Sequence, residues 1–222
     1  MHDWHPTIGS TFMISGERAD PVAAVLLWVL VAIAISVASV ASHGQIVHGA
    51  SSVEVELAAL MRKLSGVVSA GGEFTERKYF LVLDEPLILT GTVHYQAPDY
   101  LRKEYDDPGS ESYEVRGDNL TIEYPDGRRR ELSIADHPLL RAFVESYRGT
   151  LAGDLEGLRR YFELEVGGHM DAWQLRLTPR NPELAEHLRA VIMRGREDRV
   201  YSVETLEAGG DRNVMTLDSS GE

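Results

Sequence analysis

From Pro86 to Pro98 the chain reads PLILTGTVHYQAP, with Leu87, Leu89, Val93, Tyr95 and Ala97 on one parity and Thr90, Thr92, His94 and Gln96 on the other. Successive side chains of an extended chain point to opposite faces, so this stretch is a strand with one dry side. The same period of two predicts strands over Phe74 to Leu83, Leu87 to Ala97, Tyr100 to Asp106, Ser112 to Arg116, Leu120 to Tyr124 and Arg128 to Ile134. It returns over Tyr161 to Val166, Ala172 to Thr178, Glu186 to Arg194, Arg199 to Glu207 and Asp211 to Asp218. Asp107-Pro108-Gly109, Gly117-Asp118-Asn119 and Pro125-Asp126-Gly127 separate the early strands with residues that tolerate tight turns, the mark of an antiparallel meander.

Two stretches change period. Val53, Leu57, Leu60, Met61, Leu64, Val67 and Val68 recur at helical spacing, predicting an amphipathic helix over 53–68 that stops at Gly71-Gly72. In the middle of the chain Leu139, Leu140, Phe143, Val144 and Tyr147 share a helical face, with Pro138 in the first turn and Gly149 as the stop. Asp154 then caps a short helix carrying Leu155 and Leu158. The expected fold is mainly β (α+β): a curled antiparallel sheet of about eleven strands, near the size at which an open sheet curls or closes, with short helices covering it.

Ahead of this domain, Pro21 to Ala41 holds no charged residue and is long enough to cross a bilayer as a helix. It reads as an export signal, with small residues at Ser39-Val40-Ala41 for cleavage, or as a single anchor. The chain therefore divides into a leader (1–41), a small and polar tether (42–52) and a domain (53–222) expected to lie outside the cytoplasm.

Composition removes several chemistries. A formal charge of −13 argues against nucleic acid, which needs a basic surface. With no cysteine there is no disulfide framework, thiolate nucleophile or zinc-thiolate site. The eight histidines are dispersed, and HExxH, GxSxG, P-loop and GxGxxG patterns do not occur. No cofactor, metal or catalytic residue is assigned, and the expected role is binding rather than catalysis.

Several motifs in order carry a resemblance. Phe74 and Glu76 begin the first strand, Pro86-Leu87 leads to Gly91 in the second, and Pro98, Leu101 and Arg102 follow. The segment YEVRGDNLTIEYPDG then stands where a D-G-x-x-L-W-x-Y-x-P segment is usual, with Thr121 in place of the Trp. This order is similar to that of the outer-membrane lipoprotein carrier proteins (LolA-like), and the chain resembles a divergent member over about residues 53–218. The resemblance implies an incomplete barrel with a helical lid, an apolar cavity for the acyl chains of a lipoprotein or lipid, a monomer in the periplasm, and partners in an inner-membrane exporter and an outer-membrane acceptor. Two positions depart from it: Ala97 stands where the carriers have an Arg that holds the lid, and Lys103 where they have a Trp.

Strand parity and this resemblance together give a candidate cavity wall of Tyr79, Leu81, Leu87, Leu89, Val93, Tyr95, Leu101, Leu120, Ile122, Leu132, Leu175 and Leu177, and a lid face of Leu140, Phe143, Val144 and Tyr147. Lys103 is a candidate contact for an anionic head group at the mouth. The competing expectation is a membrane-anchored assembly or interaction module whose sheet is packed and empty.

Overall fold

A computed structural model describes residues 50–106 and 110–218. The leader, most of the tether (42–49), the predicted turn at 107–109 and residues 219–222 lie outside the described residues. Among those described, no helix is long and apolar enough to cross a membrane.

The chain forms helix α1 (Ala50–Leu64) and then six strands: β1 (Ser69–Tyr79), β2 (Leu87–Gln96), β3 (Tyr100–Tyr105), β4 (Ser112–Arg116), β5 (Asn119–Glu123) and β6 (Arg129–Ser133). A single 3₁₀ turn (Ile134–Asp136) leads into α2 (Pro138–Leu151) and α3 (Leu155–Tyr161). Then come β7 (Phe162–His169), β8 (Ala172–Pro179), a one-turn helix α4 (Pro182–Ala185), β9 (Leu188–Arg196), β10 (Arg199–Glu207) and β11 (Arg212–Leu217).

All eleven strands belong to one antiparallel sheet in the order β6-β5-β4-β3-β2-β1-β11-β10-β9-β8-β7. The first six strands step away from β1 on one side, and the last five return until β11 pairs with β1 through Phe74↔Leu217 and Glu76↔Met215. β6 and β7 remain separate edges, so the sheet is curled and not a closed barrel. The link between these edges must cross the sheet, and α2 and α3 make that link.

Each helix carries its reason in the sequence. In α1, Leu57, Leu60, Met61 and Leu64 are buried as one stripe, packed with Trp173, Leu175 and Leu177 of β8 and Val191 and Met193 of β9. A second core, of Val115, Leu120, Ile122 and Ile134, meets Leu140 and Val144 of α2. Asp154 caps α3, its carboxylate accepting the Gly157 N–H at 2.9 Å.

Two predicted boundaries move. Gly71-Gly72 does not end α1; the helix stops at Leu64 and both glycines lie inside β1, where a side chain on Gly71 would stand 2.5 Å from the Val93 carbonyl. Gly149 does not end α2 either, because its bare backbone makes room for Leu158 of α3. The turn comes at Gly153, with φ of +64°, where a Cβ would stand 2.2 Å from the Met61 carbonyl of α1, a position closed to any side chain.

Candidate functional site

Between the two cores the concave face of the sheet is not filled. A cavity of about 1740 Å³ lies there, bounded by inward residues of β1–β5 and β9–β11 and by α2. Six of the predicted wall residues line it: Leu87, Leu89, Val93, Tyr95, Leu101 and Leu120. All four predicted lid residues, Leu140, Phe143, Val144 and Tyr147, line it from above.

The other six are elsewhere, for three physical reasons. Tyr79 stands on the opposite face of β1 from Glu76 and Lys78, with Arg212 stacked 4.2 Å from its ring centre, and the strand ends there, leaving Leu81 exposed in the following loop. Leu175 and Leu177 do point inward, but α1 covers them completely. Ile122 and Leu132 belong to the packed core under α2.

A charged cluster interrupts the apolar wall. Glu76, almost wholly buried, accepts hydrogen bonds from Lys103 Nζ at 2.8 Å, the Tyr105 hydroxyl at 2.5 Å and Asn213 Nδ2 at 2.5 Å. The Lys103 ammonium also lies 4.7 Å from the Phe74 ring centre and 4.6 Å from that of Tyr105. Burial pushes the Glu76 carboxyl up, but the charges of Lys103 and Lys78 and the bonds from Lys103 and Tyr105 outweigh it and hold the group at about 2. Burial presses the Lys103 ammonium down, against the pull of Glu76. Burial and the neighbouring carboxylate push the Tyr105 hydroxyl up, so it remains a donor. Lys103 thus lines the cavity with its charge already matched by Glu76.

Helix α2, the expected lid, is tied to the sheet without an Arg at position 97. The Tyr147 hydroxyl meets Thr205 Oγ1 of β10 at 3.2 Å, Arg148 Nη1 donates to the Gly117 carbonyl at 2.6 Å, and Arg141 Nη2 to Asp118 Oδ1 at 3.0 Å. One tie reaches the second half of the sheet and two reach the β4–β5 turn. No cluster of three or more metal-ligating side chains occurs among the described residues.

The profile of the family described as outer membrane lipoprotein carrier protein LolA-like matches residues 49–221. The chain belongs to this family. LolA-like proteins are carrier or binding proteins of the cell envelope. No curated protein sequence matches the chain. Among solved structures it is similar to a LolA superfamily protein from Nitrosomonas europaea, at 10% identity over 72% of this chain and 90% of that one, with a TM-score of 0.38. A DUF1329 family protein from Desulfovibrio piger is similar at 11% identity over 77% and 95%, with a TM-score of 0.40. The MucA/MucB complex of Pseudomonas aeruginosa is similar at 15% identity over 72% and 55%, with a TM-score of 0.40.

The Glu76 cluster was not legible as a site. Glu76 follows Phe74 on the inward parity of β1, but its partner Lys103 is two strands away in the sheet order, and only the fold brings them together.

Proposed function

We propose that this LolA-like chain is a periplasmic carrier that takes up the acyl chains of a lipoprotein or lipid and ferries them towards the outer membrane. The observation that carries the reading is the cavity of about 1740 Å³ between the apolar sheet face and α2, larger than the roughly 300–1,000 Å³ of a pocket for a drug-sized ligand. Each methylene moved from water into such a space contributes about 0.8 kcal/mol, so affinity grows with chain length without specific polar contacts. Leu87, Leu89, Val93, Tyr95, Leu101 and Leu120 serve as the wall, and Leu140, Phe143, Val144 and Tyr147 as the movable cover.

In this reading residues 1–41 direct export or anchor the chain, 42–52 form the tether, and 53–222 are the carrier domain. An inner-membrane exporter loads the domain and an outer-membrane acceptor unloads it, each by offering the chains a better-matched apolar surface.

Native mass spectrometry of the exported protein, before and after organic extraction, tests this directly. An extractable lipid adduct and saturable uptake of a fluorescent fatty acid are expected. A ligand-free mass in every preparation, with no uptake, would leave an envelope interaction module as the function. Leu89→Trp narrows the cavity without placing a charge opposite Glu76, its partner across the strands. It should lower uptake, and a folded variant with unchanged uptake rejects this wall.

A further inference from the structure

Residues 80–86 join β1 to β2, and this link carries apolar side chains where a turn is ordinarily polar. Seven large apolar residues stand exposed among the described residues, and five of them lie here: Leu81, Val82, Leu83, Leu87 and Ile88, each 46–57% exposed. The ladder between β1 and β2 ends at Lys78↔Leu87, so the link forms the free tip of that hairpin. A contiguous apolar patch on a folded surface marks a place of contact.

The tip is held in shape from inside. The Leu81 N–H donates to Asp211 Oδ1 at 2.9 Å, and the Leu83 N–H to the Phe80 carbonyl at 3.0 Å. Leu81 packs over Gly210, where a Cβ would stand 3.0 Å from its Cδ1. Both N–H groups are thus satisfied within the protein, and the apolar side chains are left facing out. The patch also runs on into the cavity. Phe80, Leu87 and Leu89 line the cavity, and Leu87 is exposed as well, so it stands on the rim.

Size and chemistry together select the partner. A stable protein interface takes about 20–30 residues a side, whereas this patch has five. Hydrocarbon needs no matching surface and accepts a tip whose backbone groups are already bonded. The residues at the base of the tip suit the head-group layer, where tyrosines and basic side chains gather. Arg212 is stacked 4.2 Å from the Tyr79 ring centre on the convex side, and Lys78 lines the cavity beside the rim. Asp84 and Glu85, exposed on the return limb, oppose an anionic surface and leave zwitterionic lipid as the match.

We propose that this tip inserts Leu81, Val82 and Leu83 into the hydrocarbon of a zwitterionic phospholipid bilayer and so seats the cavity rim at the membrane surface. An acyl chain then passes between bilayer and cavity along Leu87 without crossing water. That passage rests on the carrier reading; the docking does not.

The chain has no cysteine, so Val82→Cys supplies a single thiol for an environment-sensitive fluorophore on the full chain. Asp171→Cys, in the exposed β7–β8 turn at the other end of the sheet, supplies the comparison site. The leader can bring either variant to a vesicle, so depth is read rather than binding. On vesicles of phosphatidylethanolamine and phosphatidylcholine the label at 82 should shift to the blue and be quenched by lipids brominated in the acyl chain. The label at 171 should do neither. Val82→Asp combined with Leu83→Asp should slow uptake of a fluorescent fatty acid from these vesicles about tenfold or more, because a charge is costly in hydrocarbon. Uptake of the same fatty acid from water should be unchanged.

A label at 82 that stays in water on the vesicles would overturn the proposal in favour of a protein partner, and equal quenching at 82 and 171 would overturn it as well. So would a label at 82 already shielded in buffer, which would make the leader its cover, or one whose shielding rises with protein concentration, which would make it a second copy. Uptake from vesicles that the two aspartates leave unchanged would overturn the passage along Leu87. Acyl-chain quenching at 82 with no fatty-acid uptake from either source would uphold the docking and reject the carrier reading instead.

Discussion

Lys103 of β3 and Glu76 of β1 form an ion pair of 2.8 Å that reaches over the intervening strand β2 on the concave face. The Glu76 side chain is 2% exposed and that of Lys103 23%, so neither charge has free access to water. Removing one partner strands the other, at a cost of about 3–5 kcal/mol. Lys103→Met is therefore expected to lower the urea midpoint by that amount of stability, and adding Glu76→Gln to recover part of it. Because the folded Glu76 sits at about 2 against an ordinary 4.5, its contribution is complete above 4.5 and lost as the pH falls towards 2. A Lys103→Met variant as stable as the parent would show that the pair adds nothing to the fold.

The opposite sign is expected at the β10–β11 turn. Glu207 is pushed up to about 7, first by burial and then by the Asp211 carboxylate, with Lys78 opposing. Asp211 is itself buried, one oxygen accepting the Leu81 N–H at 2.9 Å. The folded chain then holds a proton on Glu207 that the unfolded chain releases near 4.5, so stability falls as the pH rises from about 4.5 to 7 and is level above that. Melting temperatures between pH 5 and 8 should show this slope, and Glu207→Gln should flatten it. A slope unchanged by Glu207→Gln would assign it to other groups.

Sequence reading succeeded where one local pattern decides the outcome. All eleven strands and both long helices follow from period alone, since strand β2 or helix α2 buries one face whatever lies opposite. It failed where the answer depended on what lay opposite. Trp173, Leu175 and Leu177 show the same alternation as Leu87, Leu89 and Val93, yet α1 packs on the first set and the second faces the cavity. In β1 the parity was inverted, because the inward face carries Glu76 and Lys78 while Tyr79 points out under Arg212. A buried carboxylate is affordable only with partners supplied from β3 and β11, and no window of one strand contains them.

Gly91 in β2 is a second point where neighbouring elements set the residue. A side chain there would stand 2.0 Å from the Glu104 carbonyl and 2.9 Å from the Phe74 ring, so β2 and β3 approach too closely for a Cβ. Gly91→Ala is expected to destabilise the domain by about 1–3 kcal/mol through this overpacking. The first amides to lose protection in hydrogen exchange should be those of β2 and β3. Unchanged stability would mean that the strands can separate at no cost.

The lid supplies the last prediction, which rests on the carrier reading. Of the three side-chain ties from α2 to the sheet among the described residues, Tyr147 to Thr205 alone reaches the β7–β11 half; Arg148 and Arg141 both hold to the β4–β5 turn. Rotation of α2 about that turn would break the first tie and keep the other two. Burial pushes the Tyr147 hydroxyl up to about 12, so it keeps its proton throughout the neutral range. One such bond contributes about 0.5–1.5 kcal/mol to the closed arrangement. Tyr147→Phe should therefore speed both uptake and release of a fluorescent fatty acid, by up to about tenfold, while the Kd moves less than either rate. Stopped-flow fluorescence measures both directions, and equal rates in parent and variant would show that the closing contact of α2 lies elsewhere.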